Sequence, residues 1–257
     1  MTEAVDDAAP GTGSYVYGIV RNDASRVPEG LTGLDGTPVR VLEDRGVAAA
    51  VADVMLERPP GRRKDLLAHT RVLEALAEEG PVVPVRFGSI LTDDAAVLQE
   101  ILAPQAGRFV EVLASLEGRR QFNLRASYHE AGVLQEVIAE NPDIAVLRER
   151  TRDQDPVVAQ PDLVRMGELV ARAVDAKRGI DTKILLDQVL PLVAAEVVTP
   201  GNDLQSVFRA SVLVDDTRRD EFEDVLEAVA EAVHERIELA LTGPLPAYDF
   251  VGDVAWA

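Results

Sequence analysis

Histidine titrates nearest neutral pH and is the commonest metal ligand, and this chain carries three: His69, His129 and His234. None stands in an H-E-x-x-H or H-x-E arrangement, the spacings that bring two ligands, or a ligand and a base, together. His69 falls beside the apolar stripe of a predicted helix, where it would bond a nearby backbone group or carboxylate. His129 follows a predicted strand and faces a turn, and His234 lies partly exposed on a late helix. Ser89, in Gly88-Ser-Ile90, lacks the second glycine of a G-x-S-x-G elbow. The glycines form neither a G-x-x-x-x-G-K-[ST] cradle nor a G-x-G-x-x-G turn. The acidic doublets Asp93-Asp94, Asp215-Asp216 and Glu223-Asp224 are adjacent in sequence, so their members point apart on a helix or strand. No EF-hand loop is present, and with no cysteine there is no thiolate nucleophile, disulfide or Cys-based metal site. The expectation is a protein without enzymatic activity, metal or cofactor.

Arg86 is the charged side chain that most needs a partner. It sits in the apolar run Pro81-Val-Val-Pro-Val-Arg-Phe-Gly-Ser-Ile90, and burying a guanidinium unpaired costs several kcal/mol, on the order expected for an isolated ion. It must reach solvent or meet an acid from a neighbouring helix; functionally it would anchor a partner's carboxylate, which makes Arg86 the candidate partner contact. A second charged feature is the stretch from Arg219 to Ala240, with eight acids against two bases. Its default reading is a solvated helix face, and its functional reading a docking surface for basic groups.

At 257 residues the chain suits two domains, and 47% hydrophobic content supports a core in each. A net charge of -19 opposes binding to a phosphate backbone or an anionic bilayer. An aromatic content of 4% argues against base-stacking platforms. Neither nucleic acid nor membrane is therefore an expected partner. The N-terminus has no basic region followed by an apolar core, and no run approaches the roughly 18 to 20 apolar residues of a membrane span; the expectation is a soluble, unsecreted protein.

The elements that would position these residues begin after a small, acidic tail, residues 1–13, predicted to be mobile. Tyr15 to Val20 is a β-branched and aromatic strand; 39–42 and 47–54 make a hairpin across Glu43-Asp-Arg-Gly46. Leu66, Thr70, Leu73 and Leu76 mark a helix that Gly80 ends, and 82–91 returns to extended structure. Thr92-Asp-Asp94 caps an apolar helix that Pro104 divides in two. Gly118-Arg-Arg-Gln121 is the predicted domain boundary, followed by a strand over 122–128. Helices follow over 131–139, 144–150, 163–178 and 181–195, the last two paired as a hairpin around Arg178-Gly-Ile-Asp181. Two strands, 196–199 and 204–214, flank Pro200-Gly-Asn-Asp203. Apolar residues from Phe222 to Leu241 recur at three and four, predicting one helix over 220–241, and a last strand over 248–251. The order of elements fits antiparallel sheets covered by helices, α+β, with a ferredoxin-like order in the second half.

Four ordered stretches carry a resemblance. Pro81 to Ile90, following the helical Arg71-Val-Leu-Glu-Ala-Leu-Ala-Glu-Glu-Gly80, is joined by Tyr15-Val-Tyr-Gly-Ile-Val20, Ala210-Ser-Val-Leu-Val-Asp215 and Thr242-Gly-Pro-Leu-Pro-Ala-Tyr-Asp-Phe-Val251. Together they resemble the gas vesicle protein F/L family (GvpL/GvpF). The resemblance implies two ferredoxin-like antiparallel-sheet domains with helices on one face: an N-terminal ferredoxin- or RNA-recognition-like domain over 14–118, and a modified one with a helical insertion over 119–257. It also implies an accessory or minor structural protein of gas vesicles in the cytoplasm. Such a protein would bind the hydrophobic shell protein, gas vesicle protein A, and possibly other gas vesicle accessory proteins, and would assist assembly. Leu245 stands where a Trp is common in the family, and Phe122-Asn-Leu-Arg125 replaces a more usual Glu-Trp-Gly-Leu-Lys-type strand. Both departures bear on binding roles for those aromatics. The reading from another class is a regulatory small-molecule-binding module of ferredoxin-like fold.

Overall fold

The computed structural model describes residues 11–22 and 27–252. Strand β1 (Thr12–Arg21) lies between partners on both sides, which explains why eight successive residues of it are buried. On one edge it pairs antiparallel with β3 (Val47–Met55), which turns back from β2 (Arg40–Asp44). The two-residue turn has Arg45 at φ 45° and Gly46 at φ 88°, the left-handed pair that matches the twist of a tight hairpin. On the other edge β1 pairs with β4 (Val83–Pro84) and β5 (Ile90–Leu91). The order β2-β3-β1-β4 is that of a ferredoxin-like sheet, with the loop before β2 standing where a first crossover helix would run.

A register shift between Val16 and Gly18 lets Tyr15, Tyr17 and Val20 share one face of β1. That face meets Ala48, Ala50 and Ala52 of β3 and the Val72, Leu73 and Leu76 stripe of helix α1 (Arg63–Glu79). Alanines beside bulky tyrosines leave the depth that the rings and helix fill. Val16, Ile19, Ala49 and Val51, on the opposite face, are also buried. Helix α3 (Ala103–Ser115) contacts β1, β3 and β4, so this sheet gains cover beyond the single face expected.

Pro104 does not divide the helix before it. Asp93 caps α2 (Asp94–Ala96), its Oδ1 accepting the Ala96 N–H at 2.8 Å. A π-helical stretch, Val97–Leu102, then leads into α3, with the Ala103 N–H bonding the Leu98 carbonyl. The wider turn places a proline in the first turn of α3, where its missing N–H is tolerated.

The second sheet contains β6 (Arg119–Tyr128), β7 (Ala195–Pro200), β8 (Ser206–Asp215) and β9 (Ile237–Leu245), in the order β7-β8-β6-β9, which repeats the arrangement of the first. Phe122, Leu124, Ala126 and Tyr128 alternate into one core with residues of α4 (Glu130–Glu140), α5 (Pro142–Thr151), α6 (Pro156–Val189) and α7 (Arg219–Val233). The alternate residues Asn123, Arg125 and Ser127 are half-buried or exposed, so the helices cover one face.

Three further expectations fail here. The predicted hairpin at Arg178–Asp181 is a continuous 34-residue helix, α6. Gly179 has no helix-breaking proline near it, and an isolated interior glycine costs only about 1 kcal/mol. The predicted helix over 220–241 stops at Val233, and Ile237 onward forms β9 beside β6. The predicted strand over 248–251 is a 3-10 turn, Tyr248–Phe250.

The chain divides into two compact units, one running to Arg120 and resuming at Pro244, the other spanning Gln121–Gly243. The sequence places 119–257 in one domain. Residues from Pro244 instead group with the first unit, where Ala247 and Val251 are buried and Tyr248 bonds His69. Of the tail expected over 1–13, residues 1–10 lie outside the described residues, and Thr12 and Gly13 pair with Met55 and Val54.

Candidate functional site

His69 is the centre of the most organised polar site in the first unit. It sits on the inward stripe of α1, 1% exposed, so its ring must be satisfied by the protein. Nδ1 lies 2.8 Å from the Tyr15 hydroxyl and Nε2 lies 3.2 Å from the Tyr248 hydroxyl. The Tyr15 oxygen also accepts the Gly88 N–H at 3.1 Å; with the imidazole proton on Nε2, toward Tyr248, the Tyr15 hydroxyl donates to Nδ1. Around this chain of bonds Tyr17 stacks on the imidazole at 5.6 Å, and Phe87 meets it edge-on at 5.6 Å. Tyr15 and Tyr17 tilt against each other at 4.8 Å.

Tyr17 is fixed from the other side, because its hydroxyl accepts the Leu34 N–H at 2.8 Å. That approach requires Gly33: a Cβ there would lie 1.9 Å from the Tyr17 hydroxyl oxygen. The glycine run between β1 and β2 thus contains a residue whose missing side chain admits a tyrosine.

Burial sets the protonation states. Desolvation pushes His69 down to about 4, against a smaller opposite effect of a backbone hydrogen bond with Val85. Desolvation also pushes Tyr17 and Tyr248 each up to about 12. Tyr15 is raised further by its burial, with the Gly88 hydrogen bond acting in the opposite direction. A neutral imidazole with both nitrogens engaged, flanked by phenols that stay protonated, offers a substrate neither a base nor an acid at neutral pH. It is a rivet holding α1, β1, the Arg86–Ser89 turn and the Tyr248 segment together.

The second unit has a charged counterpart. Asp181, 6% exposed on α6, accepts bidentate hydrogen bonds from Arg236 at 2.8 and 2.6 Å, and one from the Tyr128 hydroxyl at 2.5 Å. Arg236 also donates to both oxygens of Glu136 on α4, and Lys177 bridges Glu136 and Glu140. Its guanidinium lies over the Tyr128 ring, 5.6 Å from the centroid. The hydrogen bond to Asp181 raises Arg236 above its ordinary range, more than burial lowers it. Burial acts to raise Glu136, but hydrogen bonds from Lys177 and Arg236 outweigh it and the carboxyl is lowered. Burial raises the Tyr128 phenol, and the Asp181 carboxylate adds to that. The network clamps α4 and α6 to the ends of β6 and β9, and its charges answer one another rather than an open cleft.

The sequence-predicted residues are dispersed. Arg86 is exposed, at the turn after β4, so the cost of burying a guanidinium does not arise. Ser89 bonds back to the Arg86 carbonyl at 2.8 Å. His129 is exposed just before α4, 2.9 Å from the His234 carbonyl, and His234 is exposed in turn. The α7 carboxylates Glu221, Asp224, Glu227 and Glu231 face solvent. Among the described residues no group of three or more His, Cys, Asp or Glu side chains could hold a metal, and no helix is long and apolar enough to cross a membrane. What a residue-by-residue reading misses is the convergence on His69 of Tyr15, Tyr17 and Tyr248. The available signal was three phenol groups in otherwise apolar stretches, each of which needs a hydrogen-bond partner when buried.

Comparison with known proteins gives one consistent answer. The family model described as gas vesicle synthesis protein GvpL/GvpF matches residues 13–252. A gas vesicle protein F of a Streptomyces species is 35% identical over 241 residues, covering 93% of this chain and 99% of the relative. Gas vesicle protein L1 of Halobacterium salinarum is 27% identical over 273 residues, covering 99% and 95%. Among solved structures, the crystal structure of GvpF from an Anabaena species superposes with a TM-score of 0.81 at 20% identity, covering 93% and 98%. GvpF from Microcystis aeruginosa gives 0.77 at 22%, with the same coverage.

Proposed function

The chain belongs to the gas vesicle synthesis protein GvpL/GvpF family, and from that premise we propose that it is a non-catalytic accessory or minor structural protein of gas vesicles. Its task in this reading is to bind the hydrophobic shell protein, gas vesicle protein A, and assist its assembly, with other gas vesicle accessory proteins as further partners and the vesicle as its location. The observation that carries the reading is the family match over 13–252, supported by a relative 35% identical across 99% of its own length and named gas vesicle protein F.

Physical features support the mechanism. A shell subunit that is apolar toward the gas must be kept from aggregating before it joins the wall, and an acidic partner that covers apolar or strand-edge surface disperses the complex by charge. The net charge is -19. β7 lies at the edge of its sheet with Val197 45% exposed, a surface on which an extended segment can add. Arg86, displayed at a turn, is the proposed anchor for a shell-protein carboxylate.

The test is genetic and biochemical together. A strain lacking this protein is expected to accumulate aggregated shell protein and few vesicles, and gas vesicle protein A is expected to co-purify with the tagged full chain. Normal vesicle formation in the deletion strain, with no co-purification, overturns the reading. Washing isolated vesicles with urea and probing for this protein then separates a wall component, which is retained, from an assembly factor, which is absent.

A further inference from the structure

One surface of the first unit runs against both the charge of the chain and the rules of helix stability. Between the end of β3 and the second turn of α1 the sequence reads Met55-Leu-Glu-Arg-Pro-Pro-Gly-Arg-Arg-Lys-Asp-Leu-Leu67. Arg58, Arg62, Arg63 and Lys64 are all exposed. Lys64 pairs with Asp35 at 2.6 Å and Arg62 acts electrostatically on Asp65, whereas Arg58 and Arg63 make no ion pair among the described residues. Such a concentration of unneutralised cations is unexpected in a protein with 45 acids against 26 bases.

Their position makes the point sharper. Arg62 is the N-cap of α1, and Arg63 and Lys64 are its first residues, so three cations sit at the positive end of the helix dipole, where carboxylates are the stabilising choice. Asp65 alone supplies that stabilisation, accepting the Gly61 and Arg62 N–H groups at 3.1 and 2.9 Å. The cations therefore weaken the helix they begin, and folding gives no reason for them. Beside them Met55, Leu56, Leu66 and Leu67 are 41 to 50% exposed. The strand end and the helix start adjoin, since Val54, Arg58, Pro60, Arg62 and Lys64 line one hollow together with the acids Asp35 and Asp65, which are already engaged by Lys64 and by the helix start.

We propose that this cationic and apolar face, Met55 to Leu67, is a docking site for a short acidic segment of a partner protein that also carries apolar side chains. The combination selects the class of occupant: carboxylates answer the exposed guanidinium groups of Arg58, Arg62 and Arg63, and apolar side chains cover the two leucines and the Met55-Leu56 pair. A bilayer or a nucleic acid presents an extended sheet or line of negative charge, which the field of a chain at -19 opposes over its whole surface. A short segment meets only the local patch, with the rest of the field screened beyond about 10 Å at moderate salt. The inference goes beyond the assignment to gas vesicle assembly and does not depend on it.

The test uses the full chain and two fluorescein-labelled synthetic peptides of twelve residues, one alternating Glu with Leu and one alternating Lys with Leu, followed by anisotropy at 150 mM salt. The Glu/Leu peptide is expected to bind. Its affinity is expected to fall tenfold or more in Arg62→Glu/Arg63→Glu and several-fold in Leu66→Ser/Leu67→Ser, while any binding of the Lys/Leu peptide does not fall. The charge reversal improves the helix dipole, so a folded variant is expected; circular dichroism checks it, and Arg62→Ala/Arg63→Ala provides a milder second variant. Unchanged Glu/Leu affinity in both arginine variants overturns the proposal. So does binding to phosphatidylserine vesicles without peptide binding, which assigns the face to a membrane. Self-association seen by sedimentation and lost in Arg62→Glu/Arg63→Glu assigns it to a second copy of this chain and likewise overturns the proposal.

Discussion

Tyr15 and His69, 54 positions apart in the sequence, meet at 2.8 Å in the core of the first unit, where burial holds neutral an imidazole that would otherwise titrate near pH 6.5. Tyr248 closes the other side of the ring at 3.2 Å. Asp65, the carboxylate one turn before His69 on α1, is turned to its own helix start. His69 is therefore held neutral by burial, with no carboxylate bonded to its ring.

That state predicts a pH dependence of stability. The folded pKa of about 4 lies below the ordinary 6.5, so beneath pH 6.5 the unfolded imidazole takes up a proton that the folded one refuses. The contribution is complete above pH 6.5 and is lost as pH falls toward 4, by about 3 kcal/mol at roughly 1.36 kcal/mol per unit. Urea titrations at pH 7.5, 5.5 and 4.5 on the parent chain and His69→Gln measure it. If both chains lose stability with the same slope across that range, His69 is not the source.

Gly33→Ala is expected to cost about 2 kcal/mol, the range for forcing atoms into a filled core, because the added methyl would lie 1.9 Å from the Tyr17 hydroxyl oxygen. Tyr17→Phe should rescue it only in part, since the ring carbon at 2.5 Å remains in the way. Chemical denaturation of the single and double variants decides; additive effects would show that the two residues do not share that space.

In the second unit, Asp181→Asn leaves Arg236 facing a neutral amide and is expected to cost about 2 kcal/mol, reduced from the fully buried case because Arg236 is 30% exposed. A double-mutant cycle with Arg236→Met gives the coupling. A coupling indistinguishable from zero would mean that Tyr128 and Glu136, rather than the ion pair, hold the clamp.

Reversing a single charge at the start of α1 should do the opposite. Arg63→Glu is expected to stabilise the chain by about 0.5 kcal/mol through the helix dipole, and a thermal melt at low salt reads it. Destabilisation would show that the cation serves the fold after all.

Arg86→Met should leave the urea midpoint within about 0.5 kcal/mol of the parent, as for an exposed side chain, while reducing the amount of gas vesicle protein A that co-purifies. A shifted melting temperature with undiminished co-purification would reassign Arg86 to the structure.

Much of the architecture can be read from local pattern. The hairpin of β2 and β3, the stripe of α1 and the alternation in β6 follow from periodicity and turn residues, and four motifs suffice to recognise the family. The junction of α7 and β9 cannot be read this way. Val233, Ile237 and Leu241 are spaced by four, which satisfies a helix and also a strand, and no glycine or proline marks the turn at 234–236. The clamp at Arg236 and pairing with β6 decide the outcome, and both are tertiary. The His69 cluster was hidden for the same reason. A lone histidine beside an apolar stripe predicts a satisfied side chain, but its partners stand 54 and 179 residues away and a single sequence carries no sign of their meeting.

The return of the chain to its first unit after Gly243 has a consequence for biosynthesis. When the ribosome has released the first 120 residues, Tyr15, Tyr17, His69 and Phe87 are all available, yet the phenol that faces Nε2 has not been translated. The nascent chain must complete its second unit before that bond can form, so the part made first is the part finished last.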